Sequence, residues 1–599
     1  GTINFSSTID GLTESGTAVA DNLRILAGDG GGEGGALTLT GNIGTTTALT
    51  TLKINDGADN GDITFTIPQV GNGSGGQGVT GAVTLGNTGS GDIIFSGAGA
   101  GAFDIGGKLT VTSNGGANAF QFSGNNPTIT ADGGIEFVSG NGGDDGITLT
   151  DEKDLTLTAN AADITVTSVV GVAGNTGEDL TISITQNGAT GGTATVGAIS
   201  TDINDVVITA PTIKLQGNIT TSLDENGAGT GDDDAASIDL NGAVVVDAAI
   251  TLDSGNGTID FSGAVDSTAD AGNNLTIDSG SGTTTFNGAI GTATSGSSTK
   301  GALGNLLVNT GADGDASDET GDITFATNAD IGTNTVAGAS RILVGNGATG
   351  TLALNGSFYT SSGGNSTGPL PGQIYTANAF TMSGTDPDFN SLAAGAAIKF
   401  VDGATSDIVL SNSADLTIQT NNGLIDIEPQ IKGTGDDTNT DIVLNASGSS
   451  LGSGAVITLD NPGGAVIGTD IGTVDLTAHT INLSNDIETD AENITISGAV
   501  KLTQAAGDYT VIVTTGTNTA GNISFDSTID AADSTNPEVL TLISGTGSTT
   551  ITGAIGATDD IAALTIQASA STDTGAVTIG QLGSGTTAGA TTCLLYTSD

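Results

Sequence analysis

The sequence predicts an all-β chain wound as a right-handed parallel β-helix, with a string of separate β-sandwiches as the alternative. Three observations carry this. Short phrases alternate strictly between apolar and polar residues. Gly, Asn, Asp and Ser stand between the phrases. The same phrases return at two fixed periods. A period of two belongs to strands with one buried face, and the separators are residues that tolerate left-handed backbone or bond their own main chain in turns. Self-similarity at a fixed period is the signature of stacked repeats.

The strands are legible in chain order. "GTINFSSTID" opens the chain at 1–10 and returns as "GTIDFSGAVD" at 257–266 and "GNISFDSTID" at 521–530, the first and third agreeing at seven of ten positions. "ANAFQFSGNNP" from 117 is answered by "ANAFTMSGTDP" from 377, an offset of 260. Ile135 of "GIEFV" falls opposite Ile398 of "AIKFV", and Leu155 of "DLTLTA" opposite Leu416 of "DLTIQT". "TAPTIKLQGNI" from 209 is echoed by "TAHTINLSNDI" from 477, an offset of 268. These ordered markers divide the chain into a first large repeat over 1–256, a second over 257–520 and a partial third over 521–592. Within the repeats, strands come in pairs: "NLTID" at 274–278 with "GTTTFNGAIG" at 282–291, then "NLLVN" at 305–309 with "GDITF" at 321–325. The third copy keeps that order in "VLTLI", "GSTTITGAIG", "ALTIQ" and "GAVTIG" between 539 and 580.

A two-strand unit of this size cannot bury its own apolar face and needs a neighbour above and below, which favours the solenoid. An immunoglobulin-like sandwich closes its own core of about 100 residues and would repeat at that length. Aromatics make up only 3% of the 599 residues, Trp is absent, and 98 positions are Gly. A narrow coil built from Ile, Val, Leu, Ala and an occasional Phe suits such a composition. With about 25 residues per coil and strands about 4.8 Å apart, the chain would form a rod on the order of 100 Å.

Sixty-six acids stand against ten bases, a formal net charge of −56. The bases (Arg24, Lys53, Lys108, Lys153, Lys214, Lys300, Arg341, Lys399, Lys432 and Lys501) are scattered singly. Nucleic acid is excluded as a partner, because duplex binding needs clustered Lys and Arg against phosphates. No run of about 18 apolar residues is present to span a bilayer, so no membrane insertion is expected. The sole cysteine, Cys593, lies in the final "CLLYTSD". Residues 593–599 read unlike the rest, and Cys593 to Ser598 is what one frame of a transposon sequencing adapter would translate to, so 593–599 are set aside as an assembly tail. The remaining chain has no cysteine and reads as a piece of something longer.

"GDITF", "DLTLTANAADITVTS" and "NLTIDSGSGTTTFNGAIG" resemble the strand repeats of filamentous haemagglutinin-like adhesins and autotransporter passengers of bacterial surfaces. The resemblance extends over nearly residues 1–592 and rests on patterning. It implies a non-catalytic, extracellular shaft, secreted or held at the cell surface, whose partners would be glycans or proteins of a host or neighbouring cell. Two other classes stay open: a carbohydrate-active β-helix, and a calcium-dependent surface-layer or matrix protein.

Candidate sites are few. Acidic clusters at Asp232, Asp233 and Asp234, at Asp436 and Asp437, and around Asp313 and Asp315 offer the hard oxygens calcium takes. The last departs from a calcium loop, with Asp318 where glycine is needed and Thr324 where the bidentate Glu belongs, and solvated turns are the competing reading. Calcium is therefore the one cofactor considered. Catalysis has no clear carrier. Paired carboxylates must flank a cleft at defined separation, and sheer abundance of acids supplies no such geometry. The GxSxG matches at Ser366 and Ser450 lie at no strand-to-helix elbow. His479 stands where the first copy has Pro211, and Gly107–Lys108 lacks the rest of a phosphate loop. The segment 355–380, with Phe358, Tyr359, Tyr375 and two prolines, is the best candidate for a protruding loop whose aromatics touch sugar or protein, and a plain insertion between coils is the favoured competing reading.

Overall fold

A computed structural model describes residues 2–14, 17–18, 21–27, 35–57, 61–66, 69–71, 78–87, 91–96, 102–113, 119–124, 126–139, 146–150, 153–172, 177–185, 191–200, 202–221, 236–268, 272–292, 301–311, 319–333, 336–361, 372–383, 386–403, 407–434, 440–448, 452–461, 464–503, 510–516, 520–533, 535, 537–568, 575–583 and 590–597. All regular elements among them are strands, nearly all paired in parallel with a strand one coil away. No helix among the described residues is long and apolar enough to cross a membrane. The chain is a parallel β-solenoid.

Each coil has three strands rather than two. Phe120–Phe122, Thr128–Ala131 and Ile135–Ser139 are followed one coil later by Ile147–Leu149, Leu155–Asn160 and Ile164–Val170. Phe120 then lies against Ile147, Ile129 against Leu157 and Ile135 against Ile164. The third side escapes sequence reading because one unbroken strand often turns a corner and serves two sides. Ile203–Leu215, thirteen residues long, lays Val206–Thr209 on one ladder and Thr212–Leu215 on the next. Backbone hydrogen bonds between neighbouring coils span 19 residues, as from Ile199 to Asn218, to 42, as from Gly332 to Ile290, so coil length varies around the expected value while the ladders stay in step.

The chain divides into two units, residues 1–269 with 273–284, and residues 270–272 with 285–599. In the first, one ladder runs Leu37, Ile63, Ile93, Phe120, Ile147 and another Phe103, Ile129, Leu157, Ile182, Ile208, Leu240. The second unit has the same design, for example Phe358, Phe389, Ile418, Leu444, Leu476, Ile496. These side chains are almost fully buried. Burying each contributes about 1.5–3 kcal/mol. Where Phe occupies successive rungs the rings stack: Phe95 lies 5.2 Å from Phe65 and 4.6 Å from Phe122 in the first unit, and Phe358 lies 4.9 Å from Phe389 in the second.

The long-period repeat has a structural counterpart. A register shift falls between Thr209 and Thr212 in the first unit and between Thr477 and Thr480 in the second, at matching places in "TAPT" and "TAHT". A glycine faces each bulge: a Cβ on Gly242 would sit 1.8 Å from the Ala210 carbonyl oxygen, and one on Gly498 would sit 2.2 Å from that of Ala478. The terminal segment set aside above also joins the fold. The backbone of Ala590–Thr597 pairs with Ile561–Ala568, Leu564 opposite Cys593. A parallel edge accepts any extended backbone, because the ladder bonds are main-chain bonds.

Candidate functional site

The acids that dominate the composition are placed first by the corners. Where a coil bends between sides, a backbone N–H points along the stack with no strand partner, and such a group needs an acceptor. Asp154 Oδ1 accepts the N–H of Asp179 at 3.3 Å, Asp179 Oδ1 that of Asp205 at 3.1 Å, and Asp205 Oδ1 that of Ser237 at 2.7 Å. The second unit repeats the device at the matching corner: Asp386 to Asp415 at 3.1 Å, Asp415 to Asp441 at 2.8 Å, Asp441 to Thr473 at 2.7 Å. Further along, Asn493 serves Asn522 at 2.9 Å and Asn522 serves Ser548 at 2.8 Å.

Stacking carboxylates one coil apart has an electrostatic cost. Burial pushes the Asp179 carboxyl above its ordinary value, with the Asp154 and Asp205 charges adding to it, while the Asp205 N–H opposes the shift. Asp415 is raised the same way, by burial first and then by Asp441 and Asp386. Five of the ten bases are tied across neighbouring coils: Arg24 to Asp56 at 2.6 Å, Lys108 to Glu136 at 2.5 Å, Lys214 to Asp247 at 2.9 Å, Lys399 to Asp426 at 2.7 Å, and Lys432 to Asp407. Hydrogen bonds from Lys214, Thr268 and Gln216 hold Asp247 down at about 2.

The calcium candidates Asp232, Asp233, Asp234, Asp313, Asp315, Asp436 and Asp437 lie outside the described residues, as do Ser366 and Ser450. Among the described residues no group of three His, Cys, Asp or Glu side chains could hold a metal ion. His479 is exposed on the second bulge, its Nδ1 3.1 Å from Thr480 Oγ1. The aromatic expectation is corrected. Phe358 and Tyr375 are fully buried and Tyr359 is 8% exposed, so none of the three stands on a protruding loop. They are strand residues: Phe358–Thr360 and Gln373–Ala377 flank the inserted segment, and the rings of Phe358 and Tyr375 fill the core with centroids 5.7 Å apart. Tyr359 faces outward but donates its hydroxyl to Asp388 Oδ2 at 2.9 Å. Gly and Pro around 362–371 make the whole segment read as loop; the alternation in "QIYTA" is the signal for a strand.

Two open grooves lie among the described residues. One of about 530 Å³ lies at the first unit's bulge, lined by Ser183, Thr185, Thr209, Pro211, Asn241 and Ser262 among others. The other, about 280 Å³, lies in the second unit over Asp388–Ala394 and Leu416–Asn421. A register shift between Ser391 and Ala394 bulges the chain there and opens the surface. Neither groove has an ionisable lining residue, so neither offers the carboxylate pair that glycoside cleavage uses. Sequence reading misses both, since each arises from a bulge that carries no residue signature. No family model, no curated protein and no solved structure matches the chain.

Proposed function

We propose that the chain is a non-catalytic shaft of an exported bacterial surface protein, a structural element that carries or presents an adhesive region outside the cell. One observation supports this above the others: coil follows coil with the same three ladders, and corner after corner is capped by a side chain of the preceding coil. Stability in such an arrangement is a sum over neighbours, so length can grow without a larger core. The acids are then largely structural acceptors and solvating charge, and the patterning shared with filamentous haemagglutinin-like repeats points to the same use.

Small-angle scattering of the whole chain tests the shaft. An elongated particle is expected, and a radius of gyration near the roughly 25 Å of a compact chain this long would overturn it. Antibody against the chain is expected to label intact producing cells; labelling only after lysis would overturn the surface assignment.

A further inference from the structure

Asparagine followed by glycine is a chemically exposed pair, because glycine has no Cβ to shield its backbone nitrogen from the asparagine's carboxamide carbon. Six such pairs fall among the described residues: Asn241–Gly242, Asn256–Gly257, Asn287–Gly288, Asn346–Gly347, Asn355–Gly356 and Asn422–Gly423. Four of them have the carboxamide pinned. Asn256 Oδ1 accepts the N–H and the hydroxyl of Ser281, both at 3.0 Å. Asn355 Oδ1 accepts those of Ser383 at 2.8 and 2.9 Å. Asn422 Oδ1 accepts the Gly452 and Gly448 N–H groups at 3.1 and 3.4 Å, and Asn346 Oδ1 closes a turn on the Ala348 N–H at 2.7 Å.

Asn241 and Asn287 differ. Both are exposed, and neither side chain makes a hydrogen bond among the described residues. Asn241 stands on the first unit's bulge, where the ladder pairs Thr209 with Asn241 and Thr212 with Ala243 and leaves Gly242 with no partner in register. Asn287 follows the strand Thr284–Phe286, where the coil turns its corner. In both, nothing holds the carboxamide away from the next nitrogen. A bulge already takes one extra residue into the ladder, so the main chain at Asn241 has room for a further carbon. The second unit's bulge has Ser497 before Gly498 and lacks the amide.

We propose that Asn241 and Asn287 are sites of spontaneous deamidation in the folded chain. The Gly242 nitrogen attacks Asn241 Cγ and gives up its proton; the Cγ–Nδ2 bond breaks, and the amide nitrogen leaves with that proton as ammonia. A cyclic succinimide remains. Water opens it at one carbonyl to leave aspartate, or at the other to leave isoaspartate, whose main chain is one carbon longer. Gly288 attacks Asn287 in the same way. Each conversion consumes one water, needs no oxidant or reductant, and adds one negative charge to a chain already at −56. At Asn241 the new carboxylate enters the 530 Å³ groove, whose lining otherwise carries no ionisable side chain.

Peptide mass spectrometry on the whole purified chain, aged in mildly alkaline buffer made with oxygen-18 water, tests this. The heavy oxygen marks conversions made during ageing and separates them from those made during digestion. Conversion at Asn241 and Asn287 is expected to run about tenfold or more ahead of Asn256, Asn355 and Asn422, since two hydrogen bonds must break there before the ring can close. Asn346, with one such bond, should lag as well. In urea the bonds are gone, and all four pinned sites should catch up. Equal conversion at all six sites in the folded chain overturns the proposal, because the carboxamide bonds would then decide nothing. A lag that persists in urea overturns it too, by tracing the difference to local sequence. So does an intact Asn241 and Asn287 over the time in which the urea sample converts.

Discussion

At the residue scale, an aspartate in this molecule is first an acceptor and only second a charge. Asp179 accepts the Asp205 N–H at 3.1 Å and an Nδ2 hydrogen of Asn204 at 3.3 Å while sitting between two other carboxylates. D179A removes the acceptor and is expected to lose about 1 kcal/mol, whereas D179N keeps an acceptor oxygen without the repulsion and should be neutral or stabilising at pH 7. Chemical denaturation of both variants reads the difference. The same electrostatics set a pH dependence. Asp92, Asp179, Asp239 and Asp415 are all raised, burial being the main cause, so the folded state binds their protons more tightly than the unfolded state. Their stabilisation is fully present below the ordinary value of 3.8 and is lost as pH rises through the folded pKa. Asp247, held at about 2, acts oppositely: its contribution is present above the ordinary value of 3.8 and lost as pH falls toward 2. Thermal melting is therefore expected to rise from pH 8 toward the upper carboxylate range and to fall again near pH 2; a monotonic decline from pH 8 downward would contradict this.

At the scale of the element, the alternation in phrases such as "DLTLT" locates strands, their inward face and much of the core, because burial imposes a period of two directly on side-chain type. Corners are less legible. A corner amide is satisfied by a residue one coil earlier, so the pairing of Asp154 with Asp179 leaves no local mark. Bulges are invisible as bulges, although "TAPT" and "TAHT" stand out as equivalent text. The aromatic segment at 355–380 misleads because Gly and Pro in its middle draw attention from the alternating "QIYTA" at its edge. The two grooves are not legible at all, since each arises where a register shift opens the surface. The bulges give a sharp test. G242A and G498A each drive a Cβ into a carbonyl oxygen across the corner, and each is expected to cost about 1–3 kcal/mol. Hydrogen exchange should quicken over 206–246 for the first and 474–502 for the second, leaving the other copy protected; quickening across both copies would show that the units do not behave as separate neighbourhoods.

For the molecule as a whole, a net charge of −56 on so few bases makes self-repulsion a standing load on the folded chain. Added sodium chloride screens it, so the melting temperature should climb between low salt and about 0.15 M, where the Debye length has shrunk to about 8 Å. A melting point that stays flat or drops over that range would mean the inter-coil ion pairs, such as Lys214 with Asp247, outweigh the repulsion. The capped corners carry one more implication, which concerns order in time. Asp154, Asp179 and Asp205 each reach forward, offering an oxygen to an amide that comes later in the chain. A finished coil therefore presents acceptors already in place for the segment that follows, beside the main-chain edge that every coil offers to either neighbour. Assembly begun at the N-terminal end would find each of these caps in place before the amide it serves, much as thread winds onto a spool already turning.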